Sequence, residues 1–97
     1  MKLRIGYSSR ARRDLTEIRG WTVKNFGSDQ ANRYLAQLHE SVRNIAENPG
    51  LASDASDLRE GLHKTVARSR VVYFLLSESR LDVARILHGS MDAGRWV

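Results

Sequence analysis

The sequence predicts an α+β domain in two layers: an N-terminal strand, an antiparallel two-helix hairpin, a three-stranded antiparallel meander and a short C-terminal tail. Three observations carry that prediction. Apolar residues alternate at the start, then recur at helical spacing through residue 45, then gather into three strand-like runs after residue 61. The adjacent Gly27 and Ser28 separate the two helical stripes and leave room only for a tight antiparallel junction. The breaks between the late runs, near Ser69 and at "SES", have hairpin length.

Each element has its own warrant. In "KLRIGY" Leu3, Ile5 and Tyr7 share one face and Lys2, Arg4 and Gly6 the other, the pattern of a half-buried strand. Ser8 or Ser9 can cap the helix that follows, by accepting from an unpaired backbone N–H. Its stripe is Ala11, Leu15, Ile18, Thr22 and Phe26, and Gly27 suits the left-handed position that ends a helix. Ser28 is expected to cap the second helix, whose stripe is Ala31, Tyr34, Leu35, Leu38, Val42 and Ile45. Pro49 ends it and biases Asn48 away from helical angles. Residues 49–60, "PGLASDASDLRE", read as a loop. Strands are expected over residues 62–68, 70–77 and 80–88. The first strand should join the sheet beside the last, and a returning helix hairpin implies antiparallel pairing there. Val71, Tyr73 and Leu75 point one way and Val72, Phe74 and Leu76 the other, so the central strand is apolar on both faces. Two helices cover one face. The loop, or Met91 and Trp96 of the tail, is expected to cover the second, unless that face is kept for a partner.

Composition narrows the function. At 97 residues the chain fits one domain, with 41% apolar and 28% charged residues, too apolar for disorder. Without cysteine it has no disulfide, thiolate metal site or Cys nucleophile. No membrane-length apolar run or signal core is present, and a cytoplasmic location is expected. The carboxylates form no metal-ligand pattern, no glycine-rich phosphate loop exists, and no metal or cofactor is expected. The net charge of +5 fits either a well-solvated surface or an acidic partner, whether nucleic acid, anionic lipid or an acidic protein. One catalytic alternative can be built, a metal-free RNA-cleaving set of His63, Lys64, Arg68, Arg85 and His88. A meander places the two histidines on either side of the central strand, and neither has an evident carboxylate partner.

The order of local motifs resembles the ParE toxins of bacterial type II toxin–antitoxin modules, within the RelE/ParE superfamily. The resemblance runs from "YSSRARRDL" through "FGSDQANRYLAQL", "IAENPGL" and "DLREGL" to "VARILHGSMD", essentially the whole chain. Ser9 stands where that family often has proline, and His63 where arginine is common. The resemblance implies the fold described above and a toxin that inhibits DNA gyrase by binding, without catalytic residues. It also implies a cognate acidic ParD-like antitoxin in a hetero-oligomer, with no membrane and no sequence-specific nucleic-acid partner. RelE-like relatives cut mRNA on the ribosome, often with a late Tyr or His. Here Gly89 follows His88 and no tyrosine follows Tyr73. The gyrase-binding residues are expected to be Met91, Asp92, Arg95 and Trp96. The antitoxin is expected on Leu15, Ile18, Trp21, Val72, Phe74 and Leu76.

Overall fold

The computed structural model of the chain describes residues 2–97. Strand β1 is Arg4–Tyr7, helix α1 Ser9–Phe26 and helix α2 Ser28–Glu47; a 3-10 turn at Pro49–Leu51 precedes strand β2, Ser53–Asp54. Strands β3 (Leu62–Ala67), β4 (Arg70–Leu76) and β5 (Arg80–His88) form the meander, and a short helix α3 covers Ala93–Trp96. The five strands form one sheet in the order β1-β5-β4-β3-β2.

The helices start and stop as side-chain chemistry dictates. Ser8 Oγ accepts from the Ala11 N–H at 3.0 Å and caps α1. Gly27, at φ 89°, ends α1 and also stands at the N-cap of α2, so Ser28 is the first helical residue and not the cap. On α1 the buried residues are Ala11, Asp14, Ile18 and Thr22. Phe26, expected in the stripe, is 64% exposed and lies against Trp21, with ring centroids 5.8 Å apart. On α2 Ala31, Leu38, Val42, Ile45 and Ala46 are buried as the spacing requires.

Two expectations are corrected. β1 pairs with β5 in parallel, Arg4 opposite Arg80 and Tyr7 opposite Val83. The reason is the path of the hairpin. Helix α1 does not double back along β1; it runs onward past the end of β1, and its Asp14 meets Arg85 and Ile86, beyond Val83 on β5. Helix α2 then returns along the sheet, from Tyr34 beside Ser69 in the β3–β4 turn to Ala46, whose carbonyl accepts from the Leu3 N–H. The chain is thus delivered beside the start of β1, and three alternating strands later β5 runs in the direction of β1. The second correction concerns residues 49–60. They contain β2, which pairs antiparallel with His63 and Lys64.

Helices cover one face of the sheet, where Val72, Phe74, Leu81, Val83 and Ile86 pack with Ile18, Leu38, Val42 and Ile45. On the second face Leu62, Tyr73 and Leu87 are buried under Ala55, Leu58, Ala93 and Val97. Loop and tail both contribute, as expected, but the tail does so through Ala93 and Val97. Met91 and Trp96 stay 37% and 45% exposed.

A bulge in β5 joins the layers. Tyr73 faces Arg85 while Phe74 faces Val83, which leaves Ala84 as the extra residue. The bulge switches parity, so Leu81, Val83 and Ile86 all face the helices. Ser8 and Asp14 clamp it from α1. Ser8 Oγ donates to the Ala84 carbonyl at 2.8 Å. The Asp14 carboxylate accepts from Arg85 Nε and Nη2 and from the Ile86 N–H, each at 2.9 Å.

Removing one partner of a largely buried, fully bonded ion pair costs about 3–5 kcal/mol. Asp14→Ala is therefore expected to lower unfolding stability by about 3 kcal/mol or more, measured by urea titration against the same change at exposed Asp29. An effect below about 1 kcal/mol would show that the clamp contributes little.

Burial raises the Tyr73 phenol above its ordinary value, and the nearby Asp57 charge adds to the rise. Burial raises Tyr7 as well. The stability held by these neutral phenols is fully present below the unfolded-chain pKa of about 10. It is lost as pH rises from there through the higher folded values. Stability should fall as pH rises above about 10, and Tyr73→Phe should flatten that fall, read from denaturant midpoints across the range. An unchanged pH slope in Tyr73→Phe would assign the fall to other groups.

Candidate functional site

One stripe of α1 carries Arg10, Arg13, Glu17 and Trp21, spaced three, four and four residues apart, so that successive turns present them in a line. The line forms one wall of an open groove of about 830 Å³. Arg70 at the start of β4 and the end of β5 form the floor and far wall, and Met91, Arg95 and Trp96 close it from the tail. The tail is held at this place by Arg85. Its Nη1 donates to the Trp96 carbonyl at 2.9 Å, and its guanidinium lies 5.9 Å from the centre of the Trp96 ring. The bidentate bonds that Arg85 donates to Asp14 raise the pKa of its guanidinium above the ordinary value, against an opposing effect of burial. Arg85 is thus committed to structure: it joins α1, β5 and the tail.

The other guanidiniums are not committed. Among the described residues Arg10, Arg13, Arg70 and Arg95 take part in no ion pair. Arg70 is half-buried, and its Nε has no acceptor within the chain. Both tryptophans of the chain flank this groove, Trp21 at 56% and Trp96 at 45% exposure. The result is a basic groove with aromatic borders.

The RNA-cleaving set does not assemble. His63 faces Phe74 and His88 faces Arg70, four residues along β4 and two strands across. At ~3.4 Å per residue and ~4.8 Å per strand their backbones are roughly 17 Å apart. His63 Nδ1 lies 3.1 Å from the Gly61 carbonyl, and His88 Nδ1 lies 2.7 Å from Ser90 Oγ. Arg68 sits in the β3–β4 turn at φ 61° and donates from Nε to Gln37. Lys64 faces Tyr73, and Arg85 is held by Asp14.

The apolar set assigned to the antitoxin divides. Val72, Phe74 and Ile18 are 0%, 1% and 4% exposed in the core under the helices, so they present no surface to a partner. The physical reason is that the helices pack on the even-numbered face of β4. Leu15 and Leu76 are half-buried at the edge of that core, and Trp21 is open. Met91, Arg95 and Trp96 do come together, at the groove mouth, and Asp92 is the N-cap residue of α3. Sequence reasoning gave Arg10, Arg13, Glu17 and Arg70 no site role. The readable signal was a polar helical stripe that contains a tryptophan.

Residues 5–93 match the family model described as ParE toxin of type II toxin–antitoxin system, parDE. The chain is 34% identical over 86 residues to Toxin ParE1 of Caulobacter vibrioides, covering 89% of this chain and 88% of that protein. It is 33% identical over 96 residues to Toxin ParE1 of Mycobacterium tuberculosis H37Rv, covering 98% of both. A solved chain from the chromosomal ParDE toxin–antitoxin system of P. aeruginosa superposes with a TM-score of 0.76, over 90% of this chain and 96% of that one. At 15% identity that likeness speaks for the fold. With matches in family, sequence and fold that span nearly all of its residues, the chain belongs to the ParE toxin family of type II toxin–antitoxin systems.

Proposed function

We propose that this ParE-family chain inhibits DNA gyrase by binding it, consumes no substrate, and is silenced by an acidic ParD-like antitoxin. The observation that carries the non-catalytic reading is the separation of His63 and His88, each bonded only to its own local chain. General acid–base work on a phosphodiester needs its proton carriers within hydrogen-bond reach of one reacting centre. Support for a gyrase-binding surface at Met91, Asp92, Arg95 and Trp96 comes from residue type and exposure. Tryptophan and arginine are the commonest anchors at protein interfaces, and here they project from a segment whose Ala93 and Val97 are seated on the sheet.

The antitoxin reading rests on charge and on what the sheet leaves open. An acidic segment complements the +5 chain. β2 pairs only with His63 and Lys64, so the outer edge of β3 from residue 65 to residue 67 is uncovered, and Val66 there is 68% exposed. A partner strand added at that edge gains main-chain hydrogen bonds. Trp21, with the accessible parts of Leu15 and Leu76, offers further apolar contact.

The test measures supercoiling by purified gyrase with and without the chain, beside ribosome-dependent mRNA cleavage. Inhibition that an acidic antitoxin reverses is expected. His63→Ala combined with His88→Ala should leave inhibition within about threefold. A loss of ~100-fold or more in the folded double variant, with mRNA cleavage by the unaltered chain, would establish the endonuclease reading instead. Arg95→Ala combined with Trp96→Ala spares the main-chain bond to Arg85 and the packing of Ala93 and Val97. This variant should keep its melting temperature within a few degrees and lose inhibition by roughly 30-fold or more, the scale of an interface anchor. Full inhibition by that variant would remove the tail from the gyrase surface.

A further inference from the structure

We infer that the groove between α1 and the tail is a binding site for single-stranded nucleic acid, which pairs its phosphates with the groove arginines and stacks bases on Trp21 and Trp96. The inference is independent of the gyrase reading, since it needs no other protein.

Charge is the first argument. Arg10 and Arg13 lie one turn apart on α1, Arg70 faces them from the start of β4, and Arg95 closes in from α3. Arg85 is neutralised by Asp14, which leaves four unpaired guanidiniums against Glu17, the remaining carboxylate in the lining. Arg70 Nε is buried without a hydrogen-bond partner in the chain. Guanidiniums match phosphate oxygens in geometry and sign, and a row of them follows a phosphate backbone.

The kind of apolar surface is the second argument, and it separates a nucleic acid from an acidic peptide. The aliphatic residues beneath the groove, Ile18, Ile86 and Leu87, are at most 4% exposed and offer almost nothing to an amphipathic helix. The accessible apolar surface is indole, with Met91 beside it. The edge of β5 beyond Val83 does border the groove, but its Ala84 carbonyl and Ile86 N–H are already bonded to Ser8 and Asp14, so a peptide finds little ladder there. Flat aromatic faces between arginines suit unstacked bases, the pattern of sequence-tolerant single-strand binding. A duplex hides its base faces and forgoes that stacking.

The experiment uses the full chain and a fluorescein-labelled oligothymidylate of about twelve nucleotides. Anisotropy reports binding, and intrinsic tryptophan fluorescence reports stacking, because both tryptophans of the chain flank the groove. Binding is expected to quench the tryptophans and to weaken as salt rises. Arg10→Ala with Arg13→Ala should weaken binding at least tenfold and reduce the log–log salt slope by about 1.4, two phosphate contacts at ~0.7 each. Trp21→Ala should weaken it by about 5-fold or more. Arg33→Ala with Arg43→Ala removes the same charge from α2 outside the groove and should change affinity less than twofold. The site is overturned if this control weakens binding as much as the groove variant, since the +5 charge alone then accounts for it. It is also overturned if Trp21→Ala has no effect. An oligoglutamate of equal length that binds as tightly, with the same losses in both groove variants, would make the groove a peptide site and end the nucleic-acid reading.

Discussion

The fork between Asp14 and Arg85 is the interaction on which the rest of the structure depends. A carboxylate from the first third of the chain takes three N–H donors from β5, two from Arg85 and one from the Ile86 backbone. Desolvating both charges costs several kcal/mol each, and only near-complete bonding offsets that. The bulge at Ala84 makes the completion possible. It leaves both the Arg85 side chain and the Ile86 N–H within reach of the one Asp14 carboxylate. A regular strand would keep Val83, Arg85 and Leu87 on the helix side. The bulge instead sends Ile86 into the helix-side core and Leu87 to the opposite one.

From that fork the site follows. Arg85 spends its third nitrogen on the Trp96 carbonyl, so the tail is tied to the same point that fixes α1. The groove is the space left between these two attachments. Its arginines and indoles are available because neutralisation and packing are handled beneath them, by Asp14 and by Ile18, Ile86 and Leu87. The tail divides its labour by residue. Ala93 and Val97 complete the second core, while Arg95 and Trp96 face outward.

The fold was legible in the sequence wherever one local signal decided the matter. Period, caps and turn lengths placed the two helices and three long strands, because α1 and α2 each bury one coherent face and β3–β5 alternate between two cores. The direction of β1 against β5 was not legible. It depends on whether α1 folds back over its own strand or runs beyond it, and the Asp14 contact 71 residues away decides that. Strand β2 was hidden because two exposed residues, Ser53 and Asp54, carry no period. The site was legible in part. The sequence marks Trp21, Arg95 and Trp96 as binding residues, whereas Arg10, Arg13 and Arg70 look like ordinary solvated charge until the fold brings them to one groove. Alternation on β4 showed two apolar faces but not which one the helices take, and so Val72 and Phe74 were read as surface.

The parallel seating of β5 beside β1 also sets the order in which the molecule can come into being. Ser8 bonds to Ala84, 76 residues further along, and β5 lies within the sheet with a partner on each side. Until a ribosome has made and released that stretch, β1 has no neighbour, α1 has no bulge to clamp, and the carboxylate of Asp14 stays in water. The helix hairpin is local and can form early, but its apolar stripe has nothing to close on. A nascent chain therefore carries neither groove nor seated tail until β5 has emerged. Folding waits on the emergence of β5, and any surface that depends on Arg85 becomes available only then.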